Sequence, residues 1–195
     1  MAYAAWIGLA YLLGSVPFGL VVARLFCGVD PRRAGSGNIG ATNVARLCGF
    51  PYGLLTLLLD VGKGFGPVLA ARLVVGSWPF VSLVLLAALA GHMFPIFLRG
   101  RGGKGVATAI GVFLAAAPLP AGVAVVCCVG TIAATGYVSA GSLVLVVAMP
   151  LLCLALGPTA LAPAAGLAAL AILWKHRENI VRLRTGQEKT WRKRK

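Results

Sequence analysis

The chain has 195 residues, of which 59% are hydrophobic and only 11% charged, and its mean hydropathy is +0.93. Eighteen Lys and Arg against four acids give a formal charge of +14, a balance that suggests nucleic-acid binding until its distribution is read. From Gly105 to Trp174 a run of 70 residues holds no Asp, Glu, Lys, Arg or His. That run excludes a water-soluble fold and predicts an all-α integral membrane protein.

Tyr3 to Ala23 form an uncharged run of 21, the first predicted span. No basic residue precedes it and Arg24 follows directly, the reverse of a cleaved signal peptide. Between Cys27 and Tyr52, Arg32, Arg33 and Arg46 outnumber Asp30, so the positive-inside rule predicts a cytoplasmic segment and an external amino terminus. A second span is predicted from about Gly53 to Ala71 and a third from about Trp78 to Leu98, joined by an external link at Gly76 and Ser77. Arg72 is the exception to the charge rule, and Arg99, Arg101 and Lys104 return the chain to the cytoplasm.

The nine basic residues between Lys175 and Lys195 place the carboxyl end in the cytoplasm too, so the uncharged run must cross an even number of times. Four short crossings, broken at Pro118 and Pro120, at Gly136, and at Gly157 with Pro158, fit its length better than two. About seven transmembrane helices are expected, several short; the alternative is five, which would put Ser139 and Ser142 outside. The chain reads as a single transmembrane catalytic domain, 1–195, closing in a basic cytoplasmic tail over 176–195. Lys189 to Lys195 reads as facing lipid headgroups rather than nucleic acid. The five cysteines, Cys27, Cys48, Cys127, Cys128 and Cys153, are odd in number and lack metal-ligand spacing, so neither a disulfide framework nor zinc is expected.

Four polar clusters then fall on one side of the membrane. The first, Gly35-Ser36-Gly37-Asn38-Ile39-Gly40-Ala41-Thr42-Asn43 with Arg46 a turn beyond, matches G-x-G-x-x-G but lacks the strand and parallel sheet a dinucleotide site needs. Its glycines and backbone N–H groups suit an anion, and Ser36, Asn38 and Thr42 add polar side chains. The second, Gly100-Arg101-Gly102-Gly103-Lys104-Gly105, opens a helix and reads as a phosphate cradle built from Gly102, Gly103 and Lys104. It is not a Walker A loop, since Gly105 follows Lys104 in place of Ser or Thr. The third holds Ser139 and Ser142. In the fourth, His176 and Asn179 share a face if the last helix continues, and Glu178 pairs with Arg177 or another cation. Inside the second span Asp60 and Lys63 sit at i, i+3 and are expected to pair, because a lone charge there costs about 2.5 to 3.5 kcal/mol. His92 reads as a hydrogen-bonded packing residue.

These motifs resemble those of the bacterial acyl-phosphate-dependent glycerol-3-phosphate acyltransferases, the PlsY family. The resemblance runs from Leu13-Gly14-Ser15-Val16-Pro17-Phe18-Gly19 through the two glycine-rich clusters and Gly91-His92-Met93-Phe94-Pro95 to His176-Arg177-Glu178-Asn179-Ile180. It implies transfer of a fatty acyl group from acyl phosphate to the 1-hydroxyl of glycerol 3-phosphate at an inner-membrane site facing the cytoplasm. It also implies that Ser36, Asn38, Thr42, Arg46, Lys104, Ser142, His176 and Asn179 surround the substrates. No metal, cofactor, nucleic acid or obligate protein partner is called for; membrane lipid is the surrounding partner. With no complete Ser-His-Asp set readable, direct attack by the glycerol hydroxyl is favoured over an acyl-enzyme, with His176 or the donor phosphate as base. An anion transporter would instead gather polar groups at the membrane midplane and often repeat itself. A scaffold with a nucleic-acid-binding tail rests only on the basic carboxyl end.

Overall fold

The structure, a computed structural model, describes residues 2–191. Arg192, Lys193, Arg194 and Lys195, the end of the predicted basic tail, lie outside the described residues. Among the described residues all regular structure is helical, and the chain divides into two compact units, one ending at Ala116 and one beginning at Ala117.

The first unit holds α1 (Ala2–Ser15), α2 (Phe18–Cys27), α3 (Ala41–Cys48), α4 (Phe50–Val74), α5 (Trp78–Met93) and α6 (Val106–Ala116). Pro17 separates α1 from α2, because proline has no N–H to continue the helical ladder. Gly28 ends α2 with φ 64°, a left-handed cap that returns its N–H to the carbonyls of Ala23 and Arg24. Pro51 and Pro79 stand in the first turns of α4 and α5, where a missing N–H costs nothing. α1 packs on α5, and α4 packs on α6, α3 and α5. The second unit holds α7 (Pro118–Thr135), α8 (Val138–Leu156), α9 (Ala162–Lys175) and α10 (Arg177–Arg184), with α8 packed on α7 and α9. The breaks expected at Pro118, Gly136 and Gly157–Pro158 are the observed helix ends.

Among the described residues five stretches are long and apolar enough to cross a membrane: Ala2–Cys27, Phe50–Val74, Trp78–Leu98, Pro118–Thr135 and Val138–Leu156. Thr159–Lys175 with Arg177–Arg184, bent by 63°, makes a sixth if counted as one span. α6 is an apolar helix of 11 residues. At 1.5 Å per residue it covers about 16 Å, roughly half the hydrocarbon core. The helix starts late because the glycine-rich residues before Val106 are not helical.

Two further expectations change. The helix does not continue through His176: α9 ends at Lys175 and α10 sets off in the new direction. His176 has φ −98° and ψ 5°, and both its N–H and its Nδ1 engage the carbonyl of Ile172, completing the end of α9. Cys27 and Cys48, which the sequence reading left unpaired, form a disulfide between the carboxyl ends of α2 and α3, with their Cα atoms 5.9 Å apart. Their 21-residue separation hides this proximity, which depends on α3 folding back on α2 around a small core of Val22, Ala23 and Val44.

The α4–α6 contact is close because glycine meets backbone in both directions. A Cβ on Gly111 would strike the carbonyl of Val61, and one on Gly64 would strike that of Thr108. Gly111→Ala is therefore expected to lower stability by about 1 to 3 kcal/mol through overpacking. Gly122→Ala on α7, where nothing lies within 4 Å of the added carbon, should leave stability unchanged or raise it. Thermal unfolding of the two purified variants in detergent checks the contrast.

Candidate active site

In the first unit the segment from Asp30 to Arg46 is organised by one side chain whose role its motif does not disclose. Asn43, 2% exposed in the first turn of α3, donates through Nδ2 to the carbonyls of Pro31 (3.0 Å), Ala34 (3.2 Å) and Asn38 (2.8 Å). Its Oδ1 accepts the N–H of Ser36 at 2.8 Å. Gly35 is required beside it, both for its φ of 66° and because a Cβ would meet that same Oδ1. Asn38 Oδ1 accepts the N–H of Gly40 at 2.8 Å, and the N–H of Gly37 goes to the carbonyl of Ala34 at 3.1 Å.

The amides of Ser36, Gly37 and Gly40 thus already have acceptors within the loop, which corrects the expectation that they point at an anion. The outward chemistry lies in side chains: Ser36 and Arg46 are exposed, and Asn38 and Thr42 half-buried. Asp30 is bound by Arg24 at 2.7 Å and Arg32 at 2.6 Å. The hydrogen bonds from Arg32, and then from Arg24, hold its carboxyl far below the usual carboxylate range.

The second glycine-rich loop is tied down in the same way. The N–H groups of Gly100, Arg101 and Gly103 go to the carbonyls of Pro95, Leu98 and His92 at 3.0, 3.1 and 3.1 Å. A Cβ on Gly102 would strike the His92 carbonyl, and one on Gly103 would strike the His92 ring at Nε2. The missing side chains make room for the protein itself. Lys104 follows half-buried, two residues before α6. Arg32, Leu98, Arg99 and Arg101 line a cavity of about 380 Å³ with Phe97, so the two loop regions approach each other. From sequence these arginines are topology charges only.

Deeper in the unit, Lys63 Nζ lies 2.7 Å from Asp60 Oδ1 and donates to the carbonyl of Val16 at 2.8 Å. Pro17 breaks the helix at that point, and the Val16 carbonyl accepts both Lys63 and the N–H of Phe18.

In the second unit Ser142, 6% exposed, donates its Oγ hydrogen to the carbonyl of Val138 at 2.9 Å. His176 and Asn179 are both buried and stand one turn apart across the α9–α10 bend. His176 Nδ1 is 2.9 Å from the carbonyl of Ile172. A carbonyl only accepts, so Nδ1 carries the hydrogen and Nε2 is the basic nitrogen of the neutral ring.

Glu188 went unnoticed in the sequence because it sits in a basic segment. Its Oε1 accepts from Ser139 Oγ at 3.0 Å and Asn179 Nδ2 at 2.8 Å, and its Oε2 accepts from Arg182 Nε at 2.8 Å. Beyond it the N–H of Trp191 and the hydroxyl of Thr190 reach the carbonyl of Gly136 at 2.8 and 3.2 Å. The described part of the tail is a strap closed onto α8. Glu178 faces Arg182 at 3.7 Å, while Arg177 lies 4.9 Å from the Trp174 ring.

Long apolar helices carrying cationic glycine-rich loops and buried Ser, His and Asn groups define a multi-span membrane protein built for polar chemistry at helix ends. A family model described as glycerol-3-phosphate acyltransferase matches residues 4–186. The glycerol-3-phosphate acyltransferase of Solidesulfovibrio magneticus is 58% identical over 193 residues, covering 99% of this chain and 97% of its own. That of Maridesulfovibrio salexigens is 49% identical over the full length of both chains. The crystal structure of PlsY (YgiH), an integral membrane glycerol 3-phosphate acyltransferase in its glycerol 3-phosphate form, matches with a TM-score of 0.94 and 41% identity over 98% of this chain and 96% of that one. Its lysophosphatidic acid form matches with a TM-score of 0.92.

The chain belongs to the glycerol-3-phosphate acyltransferase family. It is a membrane acyltransferase of phospholipid synthesis, acylating glycerol 3-phosphate to lysophosphatidate.

Glu188 gives a testable pH dependence. Burial raises its pKa, but the hydrogen bonds from Arg182, Asn179 and Ser139 outweigh that and hold it below its ordinary value of 4.5. A carboxyl lowered in the folded state stabilises fully above the unfolded value and loses that contribution as pH falls through the folded one. Glu188→Gln should cost about 1 to 3 kcal/mol at pH 7. In thermal melts the gap between variant and parent should shrink as pH drops below 4.5; a gap that stays constant would remove the charge from the account.

Proposed function

We propose that the acyl donor is acyl phosphate and that the acyl group goes to the 1-hydroxyl of glycerol 3-phosphate. The observation that carries the acceptor is the near-complete match, over 98% of the chain, to a relative crystallised in glycerol 3-phosphate and lysophosphatidic acid forms, while the donor rests on the motif resemblance to acyl-phosphate-dependent enzymes. Acyl phosphate is a mixed anhydride, so its carbonyl needs no covalent activation, only orientation and compensation of phosphate charge. Lys104 and Arg46 supply that charge, helped by Ser36, Asn38 and Thr42, while Gly37, Gly102 and Gly103 shape the loops.

In the reaction the glycerol hydroxyl oxygen bonds to the acyl carbon, and the bond from that carbon to the phosphate oxygen breaks. Phosphate leaves with the electron pair, and the hydroxyl proton ends on it, since phosphate would otherwise depart as the trianion. His176 Nε2 accepts the hydrogen bond of the attacking hydroxyl and relays its proton, with Asn179 orienting beside it. Ser142 serves as a phosphate or substrate ligand. Its hydroxyl is bonded to the Val138 carbonyl and no adjacent base is readable for it, which favours direct attack over an acyl-serine.

We also propose seven crossings with an external amino terminus, a cytoplasmic carboxyl terminus and a cytoplasmic active site. The basic segments 27–52, 99–104 and 175–195 support the orientation. For α6 to cross, the loop residues before it must supply the thickness its ~16 Å leaves uncovered, about half of the hydrocarbon core. Non-helical backbone is tolerated at membrane depth where protein covers it, and Gly103 and Gly105 are buried. In a reducing cytoplasm Cys27 and Cys48 would be thiols, with α2 and α3 still joined through Val22, Ala23 and Val44.

Purified protein given acyl phosphate and glycerol 3-phosphate alone should form lysophosphatidate and release one phosphate per turnover. Activity only with an acyl thioester would overturn the donor. Lys104→Ala should lower kcat/KM by about a hundredfold or more while the protein stays folded. Initial rates should be sequential in the two substrates; ping-pong rates with an acyl ester on Ser142 would replace direct attack.

Topology is checked by single-cysteine labelling in a cysteine-free protein. Positions 36, 101, 139 and 187 should react from the cytoplasmic side and position 77 from outside. External labelling at position 139 would select five crossings.

A further inference from the structure

His92 lies at the carboxyl end of α5, 4% exposed, between a buried ion pair and the loop that carries Lys104. On one side, its Nδ1 stands 3.7 Å from Asp60 Oδ1. Asp60 is paired with Lys63, and Lys63 is anchored to the carbonyl of Val16 at the α1–α2 break. On the other side, the His92 carbonyl accepts the N–H of Gly103 at 3.1 Å. The His92 ring also fills the space where a Gly103 side chain would stand, and its carbonyl fills that of Gly102. A continuous set of contacts therefore runs from Val16 through Lys63, Asp60 and His92 to Gly103, the residue before Lys104.

We propose that His92 is a positioning residue for Lys104: its ring and carbonyl form the seat on which Gly102 and Gly103 dock, and the Asp60–Lys63 pair holds that seat in place. This deepens the reading of Lys104 as a phosphate ligand and rests on it. A lysine on a loop of four glycines has many backbone conformations, and only a fixed loop presents its ammonium group to one position. The docked backbone supplies that fixity. It also explains Gly102 and Gly103 by the protein's own packing, where the sequence suggested room for a ligand. Burying Asp60 and Lys63 within the membrane-spanning part of the chain is costly unless both are paired. Pairing them beneath the loop gives His92 a rigid neighbour that apolar side chains would not provide.

The test is a double-mutant cycle on the purified full-length protein, with acyl phosphate and glycerol 3-phosphate as substrates. His92→Ala should lower kcat/KM by about tenfold to a hundredfold. His92→Gln, which refills the volume and keeps a nitrogen against Gly103, should recover most of that loss. If His92 acts through Lys104, His92→Ala/Lys104→Ala should be no slower than Lys104→Ala alone. A residue that only supports the fold would multiply the two losses. Gly103→Ala, which drives a methyl group into the ring, gives a second route and should be partly relieved by adding His92→Ala. Multiplying losses, or near-normal kinetics for His92→Ala, would overturn the positioning role while leaving Lys104 as the phosphate ligand. Near-normal kinetics for Lys104→Ala would instead remove the phosphate role and this inference with it. If His92→Ala does not fold, the comparison of His92→Gln and Gly103→Ala, each combined with Lys104→Ala, reads the same coupling.

Discussion

A polar group withdrawn from water in this apolar chain must find its partner within the protein, and the described functional segments follow from that constraint. Asn43 is the fullest case. It places both ends of its amide against four backbone groups and turns a glycine-rich stretch into a defined loop. Lys63 does similar work at the Pro17 break, where the Val16 carbonyl accepts its ammonium group beside the N–H of Phe18.

The same requirement changes how the glycines are understood. Repeated glycine beside lysine suggests backbone amides aimed at phosphate, as at many helix amino termini. Here the amides of Ser36, Gly37, Gly40, Gly100, Arg101 and Gly103 are donated to the chain's own oxygens. In the proposed site, phosphate recognition would then rest on side chains projected from these loops, with the charge of Lys104 and Arg46 counting for more than the number of nearby N–H groups. Two glycine-rich motifs with anion-site composition thus owe much of their composition to packing.

A related economy operates in the second unit. Glu188 gathers Ser139, Asn179 and Arg182, so a carboxylate from the tail ties the α9–α10 bend to α8. The tail residues up to Trp191 continue this closure onto Gly136. A basic sequence at a chain end invites the reading of a solvated extension, but one acidic residue among the cations is enough to fold its inner part back.

The 70-residue uncharged run, the flanking charges and the Pro and Gly breaks made the helical membrane architecture and most helix ends legible, because hydrophobic length and missing backbone donors act locally. The i, i+3 spacing of Asp60 and Lys63 likewise disclosed a pair, since a helix turn fixes which side chains meet. The sequence alone also supplied Ser36, Arg46, Lys104, Ser142, His176 and Asn179 as candidate chemistry through their motifs. Tertiary structure decided what those motifs are tied to: Asn43 as the loop's organiser, His92 beneath Gly103, Glu188 against Asn179, the Cys27–Cys48 pair and the bend at His176. Each of these joins residues from different elements or depends on which backbone group is left without a helical partner. Such partners are set by how helices pack in space, and neither composition nor local spacing encodes that distance.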